Sequence, residues 1–282
     1  MERLGWILLF LVLWEGSVKL LHVSSLLFPS VEEVVMTIYD GVVHGDLIWQ
    51  SLYSVGMNGV SLAISGGLAV ALALLSTWSK VFESLIDTLT ALAHPLPGLA
   101  LLPLIIMWFG TGSGAVAAIV VHSALWPVLV NLISGFKSMP AIYEDIGKSL
   151  SMSPAAITLE IRLRASLAYL VSGLKIGWAR GWRAFISAEM VFGAVGAKGG
   201  IGWYILTQRT FMNTAGLFAG IILVILIGMN RQIGPPVKGL HGVCRIIQPC
   251  FHRHIGFAGP DSHPNHALHA KYWLIFPHPC GF

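Results

Sequence analysis

Six almost unbroken apolar stretches run along the chain, at about residues 4–21, 52–75, 89–108, 114–136, 166–192 and 211–229. Each is long enough to cross a hydrocarbon core of ~30 Å as a helix. Lipid offers no partner for an open backbone, so spans of this length must be helical. The pattern predicts an all-α polytopic membrane protein with about six transmembrane helices. The second stretch is rich in small residues (Gly56, Gly59, Ser61, Ser65, Gly66, Gly67). Such residues let helix backbones approach closely in lipid. The third carries Pro95, Pro97 and Pro103, which kink or break it. A broken helix lines protein or a cavity rather than facing lipid. The fifth is unusual in holding Lys175, Arg180, Arg183 and Glu189.

Composition agrees with this pattern. The 282 residues are 55% hydrophobic and only 11% charged, which excludes a soluble enzyme, a disordered protein or a fibrous one. The first apolar run continues past the length of a secretory signal core and has no A-x-A site, so it reads as a span. The net charge of +4 reflects basic loops rather than nucleic-acid binding. The loop at 24–50 has no Lys or Arg but holds Glu32, Glu33, Asp40 and Asp46. The loop at 137–164 holds Lys137, Lys148, Arg162 and Arg164. Positive-inside reasoning puts the second loop in the cytoplasm and the first outside, with both termini cytoplasmic. Arg3, Arg231 and Lys238 fit that orientation, whereas Lys198 and Arg209 count mildly against it. Ser30 to Glu33, after Pro29, is a capping-box pattern that opens a short helix on the outer surface.

The character changes near Met229. Residues 229–282 hold 7 of the 11 His, 7 of the 14 Pro and all three Cys, with no helical or strand periodicity. A zinc site at Cys244, Cys250, His252, His254, His263, His266 and His269 lacks a paired C-x-x-C or H-x-x-x-H framework. The other readings are a disordered tail and a tail translated out of the ancestral frame. The abruptness of the break favours the last. The organisation expected is a transmembrane domain at 1–230, a cytoplasmic coupling loop at 137–165 within it, and an irregular tail at 231–282.

Residues 144–165 of the largest cytoplasmic loop read EDIGKSLSMSPAAITLEIRLRA, two short amphipathic pieces divided at Ser153-Pro154. Ser153 suits an N-cap with Pro154 at the first helical position. Apolar Ile157 and Ile161 fall on a different helical face from Glu160 and Arg164. Such a helix pair is either a docking protrusion or a solvated interfacial loop.

This loop resembles the EAA segment of ABC importer permeases, the binding-protein-dependent inner-membrane components. Asp145 falls at that pattern's acid, Ile146 and Gly147 at its two alanines, Ser151 at its glycine, and Leu163-Arg164-Ala165 at its L-P-A element. Ser151 stands for Gly, Arg164 for Pro and Ala168 for a second Pro. If the family glycine has positive φ, Ser151 strains the turn. The resemblance continues at Pro29-Ser30 with Glu33-Val34, at Pro95 and Pro97, and at Trp108-Phe109-Gly110-Thr111-Gly112. It is carried further by Gly173 to Gly177, Trp182-Arg183-Ala184, Ala188-Glu189-Met190 and Gly200 to Trp203. Over about residues 28–228 the combination is similar to the nitrate, sulfonate and taurine branch. The resemblance implies the ABC importer permease fold in a cell inner membrane, with two permease copies forming the path. It also implies two ATPase subunits docked on the loops and an extracytoplasmic solute-binding protein. Asp145, Gly147, Ser151, Leu163, Arg164 and Ala165 are then ATPase-coupling residues.

The chain has no G-x-x-x-x-G-K-[ST] phosphate loop, so ATP hydrolysis is expected in a partner, and no catalytic residue, metal or cofactor is expected here. The glycine-rich run at 193–202 reads as a flexible turn. Arg180, Arg183 and Glu189 are candidates for the translocation path, since intramembrane charges face a cavity or a partner. A structural pair between one arginine and Glu15 is the competing explanation. Other classes are a polytopic membrane enzyme, for which His22, His44, His94 and His122 are scattered, and a channel or secondary transporter, for which no inverted repeat is evident.

Overall fold

A computed structural model describes residues 2–20, 24–194 and 199–233. Lys198, His22 and the tail residues 234–282, with every reading attached to them, lie outside the described residues. Twelve α-helices and no strand occur among the described residues. They are α1 (Glu2–Leu20), α2 (Val31–Val43), α3 (Leu47–Ser76), α4 (Lys80–Ala93), α5 (Leu102–Phe109) and α6 (Ser113–Lys137). After these come α7 (Ala141–Ser149), the turns α8 (Pro154–Ala156) and α9 (Leu163–Ala165), α10 (Leu167–Phe192), α11 (Ile201–Thr210) and α12 (Thr214–Ile233).

The expected spans are all helical, but not equally so. α3 and α6, of 30 and 25 residues, are each long and apolar enough to cross a bilayer. At 1.5 Å per residue they reach roughly 45 and 37 Å. α10 is a continuous helix of 26 residues whose apolar sequence is interrupted by charged residues. α12 is apolar from Thr214 to Met229 and runs on to Ile233, beyond the break in composition. The third stretch departs from the expected 89–108. Its helix starts at Lys80, capped by the Ser79 side chain, which accepts from Phe82 N, and stops at Ala93. A 3-10 turn (Gly98–Leu101) and α5 follow, and the two halves meet at 93°. Pro95 and Pro97 explain the break: neither has an N–H with which to continue the helical ladder of α4.

The capping box at α2 is complete: Glu33 N donates to Ser30 Oγ at 3.2 Å and Ser30 N donates to Glu33 Oε2 at 3.1 Å. α1 lies at the edge of the bundle. Trp14 Nε1 donates to Pro29 O at 3.0 Å, and the Trp14 ring packs with Phe28 and Phe218.

The centre of the bundle is α10 packed against α6 and α3. A Cβ at Gly173 would lie 2.9 Å from Val128 Cα, and one at Gly177 would lie 3.2 Å from Ala124 O. At Gly181 it would lie 2.8 Å from Asn58 Oδ1. Spaced by four, these glycines share one face of α10, where their small size lets α6 and α3 approach closely. Val120, Val128 and Leu132 of α6 are fully buried along this seam, as is Phe185 of α10.

Gly173→Val therefore has no room that a side-chain rotation could provide. The expected cost is about 1–3 kcal/mol, read as earlier thermal unfolding of the detergent-purified protein. Gly67→Val, where nothing lies within 4 Å, serves as the control. Equal stability of the two variants would remove the backbone-limited seam.

Candidate functional site: a cavity at the helix break and a capped helix hairpin

The break between α4 and α5 opens a cavity of about 370 Å³. The break supplies His94 to Leu99, α6 supplies His122, Ser123 and Trp126, and α10 supplies Arg180, Arg183, Ala184 and Ser187. Gly98 lets the linker approach α6 closely, since a Cβ there would lie 2.5 Å from Ser123 Oγ. Arg180 Nη1 lies 2.9 Å from His94 Nε2, which ties α10 to the break. Arg183 turns its Nε back to Ala179 O at 3.2 Å.

The path candidates therefore separate. Arg180 and Arg183 line the cavity together, whereas Glu189 is fully buried and does not. Its Oε2 accepts from Gly202 N at 3.0 Å, and beside it Ser54 Oγ accepts from Ile201 N at 2.9 Å. Two side chains from α10 and α3 thus satisfy backbone donors at the start of α11. A carboxylate there is favoured by the partial positive charge of a helix N-terminus. Gly200 and Gly202 permit this approach, because a Cβ at Gly202 would lie 2.6 Å from Ile186 O. The described end of the glycine-rich run is thus a close-packed junction as well as a turn, and its helix end is occupied by a side-chain carboxylate. Glu15 does not meet an arginine. It pairs with Lys19 at 2.8 Å and accepts from Val31 N at 3.0 Å, which corrects the Arg–Glu15 expectation. Lys19 follows Glu15 by one helical turn, so that pair forms locally.

Sequence reasoning treated His94 and His122 as scattered histidines. The usable signal was position: His94 immediately precedes the prolines of the break, where a side chain leaves regular packing. Among the described residues no group of three or more His, Cys, Asp or Glu could hold a metal ion.

The second element lies at residues 141–165. α7 ends at Ser149, and Ser151 has φ +56°. Ser151 N donates to Lys148 O at 2.9 Å and Met152 N donates to Gly147 O at 3.0 Å. This pair of bonds is a Schellman motif, whose left-handed position suits glycine. The strain anticipated for Ser151 thus has its geometric basis. Ser153 Oγ accepts from Ala156 N at 3.2 Å, with Pro154 opening the next turn. A π-helical segment (Ile157–Arg162) then leads to α9.

The two halves fold onto each other. A Cβ at Gly147 would sit 2.8 Å from Ile157 Cγ1 and 3.2 Å from Ile161 Cδ1. An ion pair joins Glu144 to Arg162. Leu163 packs into the apolar cluster formed by α3, α4 and α6, whereas Arg164 and Ala165 are exposed. Asp145 is also exposed, 3.8 Å from Lys148. The hairpin therefore has a closed inner side at Gly147 and an open outer side at Asp145.

The sequence matches the model of the family described as binding-protein-dependent transport system inner membrane component over residues 63–229. It is 26% identical over 240 residues to the taurine transport system permease protein TauC of Escherichia coli, covering 82% of this chain and 84% of that protein. It is 29% identical over 193 residues to the nitrate import permease protein NrtB of Leptolyngbya laminosa, covering 67% of each. The bicarbonate transport system permease protein CmpB of Synechococcus elongatus is 24% identical over 235 residues, covering 80% of this chain and 83% of that protein. With a helical bundle of membrane-spanning length and a family match over more than half its residues, the chain belongs to the binding-protein-dependent inner-membrane components, the permeases of ABC importers.

Proposed function

We propose that this chain is the membrane-spanning subunit of an ATP-driven importer for a small oxyanion, and that it engages a separate ATPase through the 141–165 hairpin. The carrying observation is that hairpin's construction. It is capped at both helix ends, stapled by the Glu144–Arg162 pair and closed at Gly147, with Asp145 exposed on its outer side. A loop serving only to connect α6 with α10 needs none of these features. A rigid protrusion that receives force from a docked subunit needs all of them.

The coupling roles go to Asp145, Gly147, Ser151, Leu163, Arg164 and Ala165, and the path to Arg180 and Arg183. The transmembrane domain is residues 1–230, with the coupling loop at 137–165 inside it. The bases of that loop set it and both termini in the cytoplasm. A second copy of this chain completes the path, and a solute-binding protein delivers to the opposite face. The oxyanion class rests on two supports. The solutes in the names of three relatives, taurine, nitrate and bicarbonate, each carry negatively charged oxygens, and two cationic side chains line the cavity.

Three outcomes test this reading. Asp145→Lys or Gly147→Val should abolish solute uptake by the reconstituted complex while ATP hydrolysis and membrane insertion persist; uptake at the wild-type rate would sink the coupling role. Ser151→Gly should relieve about 1 kcal/mol of left-handed strain, slowing hydrogen exchange of the 147–152 amides about fivefold. Faster exchange would show that the serine is not strained. Reporter fusions at Asp46 and Gly112 should read outside, and fusions at Lys80 and Lys148 inside; an external Lys148 would overturn the orientation.

A further inference from the structure

Arg180 is a buried-facing cation whose charge the described residues leave unanswered. Among the described residues its one hydrogen bond joins Nη1 to His94 Nε2 at 2.9 Å. A guanidinium has five N–H donors and no acceptor, so the imidazole nitrogen accepts. His94 is therefore neutral, with its proton on Nδ1. It serves Arg180 as an acceptor without supplying any negative charge. Among the described residues no carboxylate forms a salt bridge with Arg180 or Arg183. The two acids that could have served are engaged elsewhere: Glu189 with Gly202 N, and Glu15 with Lys19. A lone cation at the middle of a span costs at least ~2.5 kcal/mol on insertion scales. Here two stand three residues apart on one face of α10, and both face the same cavity of about 370 Å³.

We propose that this cavity is an oxyanion-binding site within the permease itself, centred on Arg180, with His94 as its second contact and Arg183 as its second cation. The proposal rests on the importer reading and adds to it a defined stopping point for the solute. The ligand class is a small monoanion with at least two acceptor oxygens, such as a sulfonate, nitrate or bicarbonate. Guanidinium matches such groups because its planar fork bonds two oxygens at once. The bond to His94 occupies that fork in part when the cavity holds no anion. An arriving oxyanion displaces the imidazole nitrogen or joins it, and the Nδ1–H then remains as a neutral donor. Because His94 sits at the α4–α5 break and Arg180 on α10, the anion contacts two elements that no continuous helix connects.

The test uses the permease–ATPase complex in lipid nanodiscs without the solute-binding protein. The probes are sodium nitrate, sodium bicarbonate, sodium ethanesulfonate and, as a monatomic control, sodium chloride. At least one oxyanion should bind saturably, at one per permease chain. Arg180→Gln should weaken it at least tenfold, and His94→Ala severalfold, with His94→Gln closer to wild type because its amide keeps an N–H donor for the anion as well as an acceptor for Arg180. Arg180→Lys keeps the charge and hence assembly but loses the fork. It should lower oxyanion affinity relative to chloride, a ratio that a merely structural arginine would leave unmoved. Absence of saturable oxyanion binding to wild type overturns the site, as does an unchanged oxyanion-to-chloride ratio in Arg180→Lys. Assembly and basal ATP hydrolysis report separately on the importer reading. A complex that assembles and hydrolyses ATP but binds no oxyanion keeps the importer and removes the site; a chain that recruits no ATPase removes the importer.

Discussion

The close approach of α10 to α6 governs the rest of the bundle. Gly173 lets α10 contact the α6 backbone at Val128, Gly177 makes room for the Val128 and Leu62 side chains, and Gly181 for Asn58 of α3. In lipid there is little hydrophobic gain from bringing two apolar helices together, so van der Waals contact along a smooth seam carries the association. That seam fixes the rotation of α10. Once the glycine face meets α6 and α3, Arg180 and Arg183 must turn toward the break beside α6. Glu189 is then carried to the start of α11. The cavity, the α11 cap and the attachment of the 141–165 hairpin all follow from the setting of one helix.

The same bundle shows how differently single charges are accommodated. Lys137, at the end of α6, reaches Glu83 at 3.3 Å and Asp87 at 3.4 Å on α4, a partly exposed arrangement of modest energetic weight. Glu15 is answered one helical turn away by Lys19. Among the described residues Glu189 meets no cation, and a backbone N–H at the start of α11 takes that place. Arg180 is met by a neutral imidazole, and Arg183 beside it by the Ala179 carbonyl. The contrast matters because Lys137 and Glu15 are neutralised by side chains of this chain, whereas among the described residues Arg180 is not.

Features encoded within a few residues were legible in the sequence. The Ser30–Glu33 capping box, the Ser153 cap before Pro154 and the break at Pro95 and Pro97 each depend on neighbours in the chain. The positive φ at Ser151 was also foreseeable, but only through the family pattern that places a glycine there. What escaped was long-range. Nothing near Glu189 announces that its carboxylate meets Gly202, or that Ser54, 147 residues before Ile201, meets the same helix start. The prolines foretold a break but not its 93° angle, nor that α4 begins as early as Lys80. The angle depends on how the linker packs over α6, whereas the start at Lys80 is set locally by the Ser79 cap. His94 was unremarkable as a residue, and it gained a role only when the bend set it beside a helix 86 positions later.

The hairpin and the cavity stand at two levels of one rod. Ser166 and Arg180 are 14 residues apart along the chain, roughly 20 Å at the rise of an α-helix. The α9 turn that leads into α10 carries Leu163, which is packed into the α3–α4–α6 cluster. Force applied to the hairpin therefore reaches α10 through packed contacts rather than through a slack loop. α10 has no internal proline to absorb a tilt. His94, by contrast, belongs to a segment joined to its neighbours through two prolines and a 3-10 turn. A rigid α10 moving against that independent segment changes the Arg180–His94 separation before it strains any helix. Under the proposed ATPase docking, motion of the hairpin would thus bear on the Arg180–His94 contact that lines the cavity.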